Sequence, residues 1–225
     1  MGGIAPRSRS EKNADGVDSP FTRELQMSIG SNRDPIELLT KAASWRLASL
    51  LLERPRPGWR DEIEKLSCEV VDQELSTAVQ LNDETEGIYH WFFGPGGAVS
   101  PREVSYCGFE DPGHLMAELA SFYDGFSFRP QREEPIDHIS VETGFVGYLF
   151  LKEAYARREG NQEAATIAER ARERFMKEHL VRCADGMQKR IGDGASHFAK
   201  LLLWVVRMAT DGSNDVPAAK GDHGF

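Results

Sequence analysis

The chain has 225 residues, of which 40% are hydrophobic and 28% charged, values that fit a soluble globular protein long enough to bury a sizeable core. A net charge of −9 argues against general nucleic-acid binding, which needs a basic surface, and favours cationic or neutral partners. Cys68, Cys107 and Cys183 are widely spaced with no CxxC pair, so neither a zinc cluster nor a disulfide framework is indicated.

Free thiols suit a reducing cytoplasm. No apolar run is long enough to span a bilayer, and the N-terminus lacks the apolar core of a signal peptide, so a cytoplasmic location is expected. Residues 1–33 are rich in Gly, Ser, Arg, Asp and Asn and read as a flexible tail, with Phe21, Leu25, Met27 and Ile29 its few apolar members.

Asp34-Pro35-Ile36-Glu37 combines a cap, a proline at the first helical position and an acid in the first turn, which predicts a helix start. Ile36, Leu39, Ala43, Leu47, Leu50 and Leu51 follow at helical spacing, and Pro55 and Pro57 end the helix. Arg46 belongs on its flank. From Trp59 to Leu81 one or two helices are expected, marked by Ile63, Leu66, Val70 and Val71 and then by Leu75, Val79 and Leu81. Asn82-Asp83 is the expected cap of the next helix, which carries Ile88, Tyr89, Trp91, Phe92 and Phe93. Gly94-Pro95-Gly96-Gly97 stops it. No strand precedes these glycines and no Gly-Lys-Ser/Thr follows, so they make a turn rather than a phosphate loop.

Asp111-Pro112 repeats the cap-and-proline device before Leu115, Leu119, Phe122, Tyr123 and Phe126. The chain is then polar and proline-broken to about Ile136, after which the segment Gly144 to Leu151 offers no polar face and belongs in a core. Pro135 keeps Glu134 extended, and Asp137 is placed to cap a helix running to about Arg158. Asn161 starts another helix, with Ala164, Ile167, Ala168, Ala171, Phe175 and Leu180, extending to Ile191. A last helix runs from about Asp193 to Ala209, and 211–225 read as a polar, flexible tail. With no convincing period-two stretch, the expectation is an all-α single domain over 34–210, with a hinge loop near 127–138.

No GxSxG is present and Cys107 has no catalytic signature, so a nucleophilic enzyme is not indicated. His114 and Glu118 are four apart on one predicted helix, and His138 and Glu142 repeat that spacing on another. Each pair shares a helix face, so the alternative function is a helical metal-dependent enzyme built on these four residues. The Glu-x-x-His motif of helical di-metal sites is missing, and the favoured reading assigns no metal and no catalytic residue. His179 reads as a hydrogen-bonded core or flank histidine.

Several segments together resemble the TorD/DmsD/NarJ family of cytoplasmic redox-enzyme maturation chaperones. These are Tyr89-His90-Trp91-Phe92-Phe93-Gly94-Pro95, then Pro101, Glu103 and Tyr106, then Tyr123 with Gly125-Phe126. Glu134-Pro135-Ile136-Asp137-His138-Ile139 with Glu142 follows, and finally Phe175 with His179-Leu180. The order is that of the family, across roughly residues 34–209, although Ile136 stands where Pro and Asp usually adjoin. The resemblance implies an all-helical fold of the TorD-like type. It implies a chaperone that binds the twin-arginine signal peptide, and often the body, of a molybdenum-cofactor oxidoreductase, holding it for cofactor insertion before export. It implies no cofactor of its own, with weak guanine-nucleotide binding in some members, and leaves monomer and domain-swapped dimer open.

Two arginines followed by an apolar helix-forming run need acids beside an apolar groove. The expected peptide site is therefore the hinge: Glu133, Glu134, Pro135, Asp137, His138 and Glu142, with Tyr89, Trp91 and Phe93 as neighbours that could equally pack in the core.

Overall fold

The computed structural model describes Gly2 and residues 33–83, 85–130, 134–192 and 196–211. The two tails read from the sequence fall almost wholly outside these residues, as does Glu133. The chain divides between Asn32 and Arg33 into two units.

The unit from Arg33 onward is all-α. Its helices are α1 (Pro35–Leu52), α2 (Trp59–Ser67), α3 (Gln73–Gln80), α4 (Glu86–Phe93), α5 (Pro112–Gly125), α6 (Ile139–Arg158), α7 (Gln162–Phe175), α8 (Val181–Ile191) and α9 (His197–Asp211). A 3₁₀ turn (Glu103–Tyr106) lies between α4 and α5, and a π turn (Met176–Leu180) joins α7 to α8 without a break. Among the described residues the only strand-like pairing is an isolated bridge between Arg102 and His138.

The capping signals at Asp34, Asp111 and Asn161 hold, each side chain accepting a backbone N–H of the first turn. Two others move. Thr85, not Asn82-Asp83, caps α4. His138, not Asp137, caps α6: its Nδ1 accepts the Ser140 N–H at 3.2 Å, because the Asp137 carboxylate is engaged elsewhere. The last helix begins at His197 rather than near Asp193.

α6 is the central element, buried along most of its length and packed most extensively against α1 and then α7. Phe145 is fully buried and gathers the rings of Tyr123, Phe128 and Phe175 at 4.8–5.2 Å, locking α5 and α7 against it. On the α7 side Glu153, Arg157, Glu169 and Arg172 form a buried ion network, with the Arg172 guanidinium 3.9 Å over Phe150. On the α1 side the helices come unusually close. A Cβ on Gly147 would lie 3.2 Å from the Ala42 carbonyl and the Trp45 Cβ, and one on Gly144 would lie 3.0 Å from Ser49 Oγ.

Of the expected α1 stripe, Leu47, Leu50 and Leu51 are interior and Ala43 is half-buried, whereas Ile36 and Leu39 are exposed; Leu38, Trp45, Ala48 and Leu52 join the interior. Likewise Val71 and Leu81 are exposed, and the α3 core residues are Leu75 and Ala78.

Replacing Gly147 with Leu inserts a side chain where there is no room, and overpacking of this kind costs roughly 1–3 kcal/mol. Urea denaturation should show that loss as a lower midpoint with an unchanged slope, and an unchanged midpoint would contradict the tight α1–α6 crossing.

Candidate functional site

The expected hinge does two different things on its two sides. Its second half is a buried clasp. Glu103 N–H donates to the Asp137 carbonyl and Ile139 N–H to the Pro101 carbonyl, each at 2.9 Å, so the 101–103 connector and the 137–139 loop run as a short zipper. The Asp137 carboxylate, 0% exposed, pairs with Arg102 and accepts the Val104 N–H at 3.3 Å. Glu103, also 0% exposed, pairs with Arg182 at 2.6 Å and faces His179 Nδ1 at 3.3 Å. The family-like connector, hinge and late Phe-x-x-x-His-Leu segments are thus three parts of one electrostatic unit. Buried charges persist only when paired in this way.

His138 belongs to the same unit. With Nδ1 accepting from Ser140, Nε2 carries the proton and donates to Tyr89 Oη at 3.0 Å. Burial, helped by Arg102, pushes its pKa down to about 3. Glu142 lies one turn further, 0% exposed, and neither carboxyl oxygen has a hydrogen-bond partner. Burial, then the nearby Glu103 and Asp137, holds its carboxyl well above the ordinary carboxylate range. Asp137, His138 and Glu142 therefore face the interior, not a ligand on the surface.

The first half of the hinge faces outward. Glu134 lines a cleft with Glu53, Arg54, Arg56 and Glu86, and burial raises its pKa. Pro135, next in the chain, is half-buried. Arg54 is held by Glu86. Glu53 is shared with a second and larger feature, an apolar groove of about 450 Å³ between α1 and α6. Gly144 and Gly147 belong to its floor, Leu39, Ala42 and Ala43 to the α1 wall, and Tyr148, Leu151 and Phe128 to the other. Arg46 and Glu53, paired at 2.9 Å, close the end toward the Glu134 cleft. The groove exists because small residues sit where two helices cross, leaving room above the contact.

None of the groove residues stood out from the sequence as a site. The signal was the small-residue spacing of Ala42-Ala43 and Gly144-x-x-Gly147, together with Leu151, which is exposed on a helix that reads as wholly interior. The aromatics of α4 divide: Tyr89 and Phe93 are core, and Trp91 is 67% exposed.

The two His–Glu pairs do not assemble. His114 and Glu118 border a surface cavity on α5, whereas His138 and Glu142 are interior. Among the described residues the only group of three or more potential ligands within reach of one another is Glu118, Glu178 and His179, which draws one residue from the expected four.

The two buried titrating groups have opposite linkage. His138 ionises at about 6.5 when unfolded and at about 3 when folded. Its contribution is full above about 6.5 and is lost as pH falls toward about 3, since the unfolded chain binds the extra proton. Glu142 ionises at about 4.3 when unfolded and higher when folded, so stability falls as pH rises from about 4.3. In urea titrations Glu142→Gln should gain on the parent as pH rises above about 4.3, and His138→Asn should flatten the acid limb. Parallel pH profiles for parent and variants would refute both assignments.

Comparison with known proteins adds one positive finding. The family model for the nitrate reductase delta subunit matches residues 59–185, just over half of the chain, and spans α2 through the first part of α8. Neither a curated protein nor a solved structure matches the chain. No described helix is long and apolar enough to cross a membrane. The matched region contains the connector, the hinge, α6 and the π turn, which are the segments joined by the buried clasp. The chain belongs to the nitrate reductase delta subunit family, a family of molybdoenzyme maturation chaperones.

Proposed function

We propose that the protein binds the twin-arginine signal peptide of a molybdenum-cofactor oxidoreductase, and holds the apo-enzyme until its cofactor is inserted. The observation that carries this reading is the α1–α6 groove, an apolar trough that meets, at Glu53, a cleft where Glu86 and Glu134 stand beside Arg54 and Arg56. An apolar helical run fits between Leu39, Leu151 and Tyr148. The client arginines reach Glu134 and Glu86, where charge-assisted hydrogen bonds to carboxylates can form, while Glu53 stays buried against Arg46 and Arg56. Arg54 already occupies Glu86, so a client guanidinium exchanges with a resident one, which keeps binding reversible.

In this reading Glu134 is the hinge residue that touches the client, and Pro135 sets its direction. Asp137, His138 and Glu142 act from inside by holding the loop and the start of α6 in register. Tyr89 anchors His138, Phe93 packs in the core, and Trp91 remains on the surface as a contact for the body of the client. The interior positions of His138 and Glu142 also weigh against a metal-dependent enzyme at those residues.

Calorimetric titration with synthetic signal peptides from molybdoenzymes of the same organism tests the reading. One peptide should bind saturably. Leu151→Glu should weaken it at least about 10-fold, a loss of about 1.4 kcal/mol, and Glu134→Ala by a smaller factor, with circular dichroism unchanged. Binding that is insensitive to Leu151→Glu would place the site elsewhere, and no binding to any peptide or apo-enzyme would overturn the function.

A further inference from the structure

We propose that Glu118, Glu178 and the Nε2 atom of His179 bind a divalent first-row cation of the zinc class. The site is where α5 meets the π turn.

Ligand atoms of the three residues lie within 4.8 Å of one another. Zinc takes imidazole nitrogen and carboxylate oxygen at about 2.0–2.2 Å, so a closing movement of about 1 Å completes a three-ligand set. Both carboxylates can make it, being only partly covered, with side chains 31% and 42% exposed.

His179 gives the independent evidence. It is 1% exposed, and its Nε2 is buried without a hydrogen-bond partner. Buried polar atoms are rarely left so, and each such case needs a cause. Its Nδ1 lies 3.3 Å from both oxygens of Glu103. A carboxylate on one imidazole nitrogen fixes the tautomer and leaves the lone pair of the other free, which is the arrangement found behind metal-bound histidines. Phe122 and Phe175 pack on the ring with centroids at 5.6 and 5.2 Å and hold its plane.

The backbone makes the same provision. Glu178 and His179 are adjacent in sequence, and both approach Glu118 because Met176–Leu180 is a π turn, a widening of the helix often found at functional sites. Glu118 also lines a cavity of about 450 Å³ with Arg174 and with His114, one helical turn before it.

Arg174 is the resident cation. It pairs with Glu178 at 2.7 Å and Glu118 at 3.5 Å and lies 5.3 Å over the Phe122 ring, with its side chain 60% exposed. Metal binding therefore proceeds by exchange with Arg174, and this competition gives the proposal a signature that a stray surface ion lacks.

The test uses the full chain after chelator treatment. Zn(II) is titrated in competition with a chromophoric chelator, and Co(II) absorption reports the ligand type. One equivalent of zinc is expected. Glu118→Gln combined with Glu178→Gln should abolish stoichiometric binding, since only one of three ligands remains, whereas Arg174→Ala should tighten it, with circular dichroism unchanged in both. Co(II) should show visible bands of nitrogen–oxygen coordination and no thiolate charge-transfer band. No bound zinc, binding unmoved by the double substitution, or a thiolate band that assigns the ion to Cys68 would each overturn the site. The two glutamates are surface residues, so the outcome does not depend on whether a His179 variant folds.

Discussion

The close crossing of α1 and α6 is the constraint on which the rest of the structure depends. Gly144 and Gly147 let the two backbones approach until Ala42, Trp45 and Ser49 leave no space for a Cβ. This contact seats α6 at the centre of the fold and presents Phe145 to the rings of α5 and α7. It also leaves Leu39 and Leu151 flanking a trough that no described side chain fills. An apolar helix would normally cover such surface with its own neighbours. Here the smallness that allows the contact also prevents the filling, so the packing device and the groove have one cause.

The second organising feature is the buried clasp of Arg102–Asp137 and Glu103–Arg182, with His138 and His179 at its two ends. Three segments far apart in sequence meet in it: the connector before α5, the loop before α6 and the π turn after α7. Pairs of this kind add little net stability, because desolvating the charges offsets most of their attraction, but removing one partner leaves the other exposed to that cost. Such an arrangement specifies position more than it stabilises. It fixes where α6 begins, and so where the groove meets the Glu134 cleft.

The same clasp explains why the hinge residues separate into two roles. A loop dense in titratable groups reads as a surface able to meet a cationic ligand. The fold turns Asp137, His138 and Glu142 inward, where Asp137 is paired with Arg102 and burial disfavours the charged form of Glu142, and leaves Glu134 outside. Arg102 and Arg182 lie 35 and 79 residues from their acidic partners, and local sequence carries no sign of such pairing.

By itself, the sequence determined the helices and most of their ends, since a cap such as Asp34, Asp111 or Asn161 acts within one turn and a 3.6-residue stripe is a local property. The order of the family-like segments was legible for the same reason. The tertiary structure alone decided that Ile36 and Leu39 of α1 are exposed, that His138 rather than Asp137 caps α6, and that Asp137 and Glu142 serve the interior. It also decided that Leu151 is surface on an apolar helix, that Glu118 stands beside Glu178 and His179 rather than His138, and that two glycines open a groove. Each of these depends on what lies opposite a side chain across the fold, and that neighbour is set by long-range packing rather than by position along the chain.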